Sequence, residues 1–223
     1  MKKFTHIDTP KFAKLERREN NGIREYQLPS GVWVPSVTTV VGSINKKGIE
    51  RWRSRVGEEE ANRVLSVASA RGTDVHNVIE KYLDNTENFL TEEFPTTKST
   101  FRDFKFHLDK IDNIRYLETG LHSERMRLAG TADCIADFDG TLSVIDFKTS
   151  RKPKKEKYIE SYFLQATAYA LMHEDLTGIP VDQIVILIWS QEGEVQEFVK
   201  SKRDYMDKLF DVIVNFHQLR KVV

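Results

Sequence analysis

The stretch Leu128 to Ser150 constrains this chain more than any other, because it carries a turn from which register can be counted. Asp139-Gly140 stands between two apolar-rich runs. A two-residue type I′ turn needs positive φ at both central positions, and Asp-Gly is among the pairs that meet this. Counting outward, Phe138 faces Thr141, Asp137 faces Leu142, Ile135 faces Val144, Asp133 faces Asp146 and Thr131 faces Lys148. Two carboxylates opposed across a strand pair sit about 4.5–5.5 Å apart at Cβ and repel one another. Something positive belongs between them. The candidates are a metal ion and Lys148, which shares a strand face with Asp146 two residues away. The rest of that strand is apolar on both faces (Leu142 and Val144; Ile145 and Phe147), the pattern of a buried central position. Two readings stand at this point. One is a solvated salt-bridge cluster at a sheet edge, worth little to stability. The other is a metal-assisted hydrolytic site at the end of a buried strand pair.

The bulk properties narrow the class. A chain of 223 residues fits one large domain. With 34 basic and 34 acidic residues the formal net charge is zero, so a polyanionic partner must be met by a local basic patch. The single cysteine, Cys134, excludes a disulfide scaffold or a Cys-based zinc site within one chain. Counting from the turn places it on the face away from the Asp pair. No apolar run approaches the roughly 20 residues that span a bilayer. The first residues lack the apolar core of a signal peptide, so the expectation is a cytoplasmic protein with no membrane partner. There is no glycine-rich phosphate loop and no Gly-x-Ser-x-Gly elbow.

Along the chain, 1–45 reads as an N-terminal extension. Two short strands around Pro29-Ser30-Gly31 are expected there, and Ser36 is placed either in an extended run or as the cap of a short helix. Residues 46–118 read as mainly helical. A basic helix carries Trp52. A helix over 58–70 is punctuated by Gly72, and Thr73 caps the next, which bears an apolar stripe of Val75, Val78, Ile79 and Tyr82. His76 and Glu80 lie on its edge at i,i+4. A third helix is expected over 97–116. Residues 119–223 read as an α/β core: a strand over 121–127 with Glu124 and Met126 on one face, the hairpin, a basic loop over 151–157 and a long helix over 156–174. Strands at 183–189 and 194–199 follow, and a closing helix over 202–219. That order implies helices packed on a mixed sheet.

On the long helix, Tyr158, Tyr162, Gln165 and Tyr169 fall on one stripe. Tyrosines at that spacing fit a core rim, and beside a metal site they also fit contacts to phosphate and sugar. The loop with Arg151, Lys152, Lys154 and Lys155 lies just beyond Lys148, where it would attract phosphate.

Taken together, Arg71-Gly-Thr-x-x-His76 with Glu80, then Glu124, Gly130-Thr-Ala-Asp133, Ile145-Asp146-Phe-Lys148-Thr149 and Gln165-Ala-Thr-Ala-Tyr169 resemble the PD-(D/E)xK nuclease superfamily. The resemblance is to its RecB-like exonuclease branch, the branch of phage exonucleases and the mitochondrial genome maintenance exonuclease group. It runs from about residue 33 to the last helix. The nominal Pro-Asp of the superfamily is here Ala132-Asp133. The resemblance implies a restriction-endonuclease-like α/β fold, a mixed β-sheet core flanked by helices with a helical N-terminal portion, as one nuclease domain over 1–223. It implies catalytic Asp133, Asp146 and Lys148. Mg²⁺ or Mn²⁺ would be held by His76, Asp133, Asp146 and the Phe147 carbonyl, with Glu80, Glu124, Gln165 and Tyr169 as auxiliary groups. The implied partner is DNA with free or single-stranded ends, met by Thr149, Arg151, Lys152, Lys154, Lys155, Tyr158 and Tyr162. Replication or recombination proteins, in a bacterial or phage-infected cell, are the implied company. A structure-specific endonuclease and an inactive DNA-binding accessory protein are the alternatives.

Overall fold

The computed structural model describes residues 2–221. Met1, Val222 and Val223 of the expected single domain lie outside the described residues. An Asn21-Gly22 turn, with φ of 51° and 72°, joins β1 (Arg17–Asn20) to β2 (Ile23–Gln27). Adding β3 (Trp33–Pro35) makes a small antiparallel sheet in the order β1-β2-β3. The sequence reading expected only two strands here. All four residues of β1 are exposed, so it carries no apolar signature. Ser36 caps α1 (Val37–Gly42), its hydroxyl accepting from the Thr39 N–H at 3.1 Å.

Helix α2 (Lys46–Val56) leads into α3 (Glu58–Leu83), one continuous helix through Gly72 and Thr73 rather than the two expected. An interior glycine costs about 1 kcal/mol relative to alanine. Burial of Val75, Val78, Ile79, Tyr82 and Leu83 outweighs that penalty, and Thr73 donates to the Ser69 carbonyl without breaking the turn.

The helix expected over 97–116 ends early, as α4 (Pro95–Leu108), and β4 (Ile111–Ser123) begins three residues later. Ile111 and Ile114, which looked like helix positions, are buried strand residues. Their pairing with β5 (Leu128–Phe138) is non-local and overrides the local helical spacing. Residues 124–127, expected at the end of a strand, form the β4–β5 turn, with Arg127 at φ 53°.

The Asp139-Gly140 turn has φ of 48° and 78° and joins β5 to β6 (Thr141–Ser150). Register runs from Phe138↔Thr141 to Cys134↔Ile145, as counting predicts. A 3-10 turn over Glu156–Tyr158 precedes α5 (Glu160–Thr177), so the expected long helix starts late. Then come β7 (Gln183–Ser190), β8 (Val195–Ser201) and α6 (Met206–Lys221). The main sheet has the order β4-β5-β6-β7-β8, with β6 and β7 parallel across the α5 crossover and the other pairs antiparallel.

Two apolar layers sandwich this sheet. On one face Ile135, Val144, Ile184 and Ile186 pack with residues of α1, α5 and α6. On the other, Cys134, Ile145, Phe147, Val185 and Leu187 pack with α3 and α4. The fold is the expected α/β class, a mixed sheet flanked by helices. Among the described residues, no helix is long and apolar enough to cross a membrane.

Candidate active site

The strand ladder between β5 and β6 stops one pair short of Asp133 and Asp146. At that point the Phe147 N–H donates to Asp133 Oδ2 at 2.9 Å. The side chain of Asp133 therefore takes the bond that a ladder carbonyl would otherwise accept. Asp146 alternates with Ile145 and Phe147, whose side chains enter the α3/α4 layer, so its carboxylate faces α5. There Gln165 Nε2 donates to Asp146 Oδ1 at 2.8 Å. The Lys148 ammonium, on the same strand face, lies 2.5 Å from Asp146 Oδ2. Asp146 is 1% exposed, and the side chains of Asp133 and Lys148 are 10% and 20% exposed.

Electrostatics follow from that burial. Desolvation pushes the Asp146 carboxyl up, Lys148 draws it down and Asp133 pushes it up again, for a net rise. Asp133 rises for the same first reason, against the pull of Lys148 and His76. Burial alone would push Lys148 down, yet the two aspartates hold its ammonium above the ordinary lysine range.

His76 reaches the site from α3, on the opposite side of the sheet. Its Nε2 bonds the Phe147 carbonyl at 2.8 Å, while Nδ1 lies 3.5 Å from Glu118 Oε1 and 3.7 Å from Asp133 Oδ2. Burial would lower the imidazole pKa, but Glu118 and Asp133 override it and hold His76 up at about 9. The pocket therefore has a field that attracts a cation. One ligand atom from each of His76, Glu118 and Asp133 lies within 4.8 Å of the others. Two carboxylates and an imidazole form a donor set that could hold a divalent cation.

Glu118 is the residue that sequence reasoning missed. Leu117 pairs with Cys134 and Thr119 with Ala132, so Glu118 stands opposite Asp133. Its φ of 42° is unusual outside glycine, and such strain concentrates at functional sites. The sequence offered one route to it. Counting back from a β4–β5 turn at 124–127 puts Glu118 across from Asp133, but that turn has no Asn-Gly or Asp-Gly signature. Glu124, assigned the acidic auxiliary role from sequence, is a correction. It lies on that turn and accepts from the Ser30 hydroxyl at 3.0 Å. Along the strand this is roughly 15–20 Å from Glu118.

The other predicted residues divide clearly. Glu80 lies within the cluster's field, its carboxyl raised by burial and then by the charge of Glu118. Tyr169 is 2% exposed, and its hydroxyl packs against Gly130 behind β5, away from solvent. Tyr162 is half-buried, with Lys148 Nζ 5.4 Å from its ring centroid. Thr149 is half-buried next to Lys148. Arg151, Lys152, Lys154 and Lys155 are exposed on the β6–α5 loop. That loop is pinned by a two-way bond between the Lys154 backbone and the Gln196 side chain, at 2.6 and 3.0 Å. Tyr158 stands off the α5 stripe on the 3-10 turn, 69% exposed.

The sequence model of the PD-(D/E)XK nuclease superfamily matches residues 48–221 of this chain. Mitochondrial genome maintenance exonuclease 1 of Homo sapiens is 30% identical over 174 residues, covering 72% of this chain and 50% of that protein. The Mus musculus protein of that name is 30% identical over 173 residues, covering 72% and 51%. The Xenopus tropicalis protein is 27% identical over 173 residues, covering 72% and 49%. The chain thus spans about half the length of the curated relatives it matches. A crystal structure from Eubacterium rectale covers 70% of this chain and 66% of its own at 13% identity and a TM-score of 0.48, a likeness too loose to carry weight.

Proposed function

The chain belongs to the PD-(D/E)XK nuclease superfamily, and on that premise we propose that it is a divalent-metal-dependent DNA exonuclease. It hydrolyses phosphodiester bonds and favours single-stranded ends, in replication, recombination or repair. One observation carries the proposal. Two largely buried aspartates stand at adjoining strand ends with a charged lysine on Asp146, and Asp133 also faces a His76–Glu118 pair. As a purely structural feature this arrangement is unfavourable, since desolvated like charges repel. A divalent cation and a phosphate group supply what it lacks.

Mg²⁺ or Mn²⁺ would be held by Asp133, Asp146 and His76, with Glu118 in place of the expected Glu124. The Phe147 carbonyl, which His76 already bonds, would be a further ligand. Such an ion lowers the pKa of bound water and polarises a phosphoryl oxygen. The protein's own groups do the rest. Because Asp146 and Asp133 keep Lys148 protonated, it acts as a hydrogen-bond donor and counter-charge, orienting water and offsetting charge that develops on the phosphate. Gln165 fixes one oxygen of Asp146 and leaves the other to Lys148. The exposed cations of the β6–α5 loop attract the phosphate backbone.

The test is a time course on end-labelled linear DNA, single- and double-stranded, with Mg²⁺, Mn²⁺ or EDTA, beside a closed single-stranded circle. Metal-dependent loss of the linear strand with an intact circle is expected, and Asp146→Asn should fold normally and cut nothing. Cutting of the circle replaces the exonuclease by an endonuclease. Undiminished metal-dependent cleavage by Asp146→Asn removes the site assignment, and no cleavage under any condition leaves a DNA-binding accessory protein.

A further inference from the structure

A cleft at the free edge of the main sheet adjoins the metal-binding group, sharing Glu118 with it. It has a volume of about 800 Å³ and is bounded by residues 7–17 on one side and by β4 and β5 on the other. Residues 7–17 lie before the stretch 48–221 that matches the superfamily.

The start of this segment is tied to the sheet edge by backbone bonds. The Ile7 N–H donates to the Ile114 carbonyl and the Ile114 N–H to the Thr5 carbonyl, each at 2.8 Å. The Thr9 hydroxyl donates to the Arg115 carbonyl at 3.0 Å, and the Phe12 ring stacks on Tyr116 with centroids 4.9 Å apart. Beyond that anchor the segment leaves the edge, and the cleft opens between it and the strands.

The charges there are unusual for a protein of zero net charge. Lys11, Lys14 and Arg17 line the cleft with no ion-pair partner among the described residues. Arg115, also on the wall, is already held by Asp137 at 2.7 Å. The acidic residues of the wall are Asp8 and Glu118, and Glu118 is itself part of the metal-binding group. The half-buried rings of Phe12 and Tyr26 line the same cleft as these cations, Phe12 with one face against Tyr116. Unpaired cations interleaved with aromatic faces are the chemistry of a single-strand groove, where phosphates meet charge and bases stack. A duplex with its bases already stacked inside would leave those faces unused.

Resting on the nuclease reading, we propose that residues 7–17 and the edge of the sheet form a guide for single-stranded nucleic acid. The guide leads to the metal-binding group at Glu118. Lys11, Lys14 and Arg17 bind phosphates, and Phe12 and Tyr26 take bases.

The test measures strand binding apart from cleavage. Anisotropy of a labelled oligothymidylate is titrated in EDTA over a range of salt for the unaltered protein, for K11Q/K14Q/R17Q and for a control that neutralises three cations elsewhere, K98Q/R102Q/K208Q. All three guide side chains are exposed, so their neutralisation leaves folding intact, as circular dichroism verifies. A single strand loses about 0.7 in the logarithmic salt slope per phosphate contact. The guide variant should therefore bind roughly tenfold more weakly with a slope lower by about 2, the control should bind normally, and with Mg²⁺ the loss should fall on KM rather than kcat. Unchanged affinity and slope, or an equal loss in the control, overturns the guide. Binding through these cations by a protein that cleaves nothing keeps the guide and removes the nuclease reading. Cleavage with unchanged KM in the guide variant does the reverse.

Discussion

Alanine at position 130 tests whether the active-site floor is set by contact between β5 and α5. A Cβ built on Gly130 lies 2.9 Å from the Tyr169 hydroxyl oxygen, 3.0 Å from Cε1 and 3.4 Å from Cζ. Carbon atoms rest at about 3.5–4.0 Å, so the contact is short by roughly half an ångström or more. Gly130 does not have positive φ, and the demand for glycine is purely one of space. Tyr169 cannot swing away, because its ring is 2% exposed and lies one turn beyond Gln165, which holds Asp146. Either β5 or α5 must move. Overpacking of this kind costs about 1–3 kcal/mol. At about 2–4 °C per kcal/mol for a domain of this size, Tm should fall by about 2–12 °C. Asp133 is three residues along the same strand, so a displaced β5 moves it relative to Asp146, and an error of about 1 Å in such a site can cost on the order of 100-fold in rate. Thermal unfolding by circular dichroism and initial rates of DNA cleavage read the two effects. Tyr169→Phe deletes the nearest atom, so Gly130→Ala/Tyr169→Phe should recover part of both losses, with a coupling of about 0.5–3 kcal/mol. Wild-type Tm and rate in Gly130→Ala, or strictly additive losses in the pair, would refute the reasoning.

Four further outcomes are expected. Glu118→Gln should weaken activation by Mn²⁺ by roughly tenfold or more in a metal titration of the cleavage rate. Glu124→Gln, which loses only a bond to Ser30, should leave activity unchanged and stability within about 0.5 kcal/mol. Gln165→Leu leaves a buried carboxylate oxygen without its donor, so chemical denaturation should show a loss of about 1–3 kcal/mol together with reduced activity. Burial alone would raise the Glu25 carboxyl, but hydrogen bonds from Arg220 and Arg18 outweigh it and hold it below its ordinary 4.5. A depressed carboxyl stabilises the fold above the unfolded-state pKa and loses that contribution as pH falls through the folded one. Glu25→Gln should therefore cost about 1–2 kcal/mol at pH 7, a figure limited by the solvent access of both guanidiniums, and the gap to wild type should narrow as pH falls below 4.5 and close below the depressed folded-state pKa. A gap that persists unchanged at acid pH argues against the linkage.

Much of the site could be read from the chain because its determinants are local. Asp139-Gly140 fixes a two-residue turn, and register is then a matter of counting as far as Cys134↔Ile145, the pair next to Asp133 and Asp146. Helical spacing likewise carries His76 with Glu80, and Gln165 with Tyr169, each pair on one face of its helix.

Tertiary structure decided the rest, wherever a distant partner sets the conformation. Ile111 and Ile114 belong to a strand because β5 lies beside them, although their spacing suits a helix just as well. That pairing turns Glu118 toward Asp133 and leaves Glu124 on a turn. The same holds for the space behind Gly130 that Tyr169 fills, and for the cleft that residues 7–17 close against the sheet edge. The sequence by itself determined the Asp139-Gly140 turn, the register counted from it and the helix faces that carry His76 and Gln165. Only the packed fold determined what surrounds them, because a contact between residues a hundred positions apart leaves no periodic trace in either one.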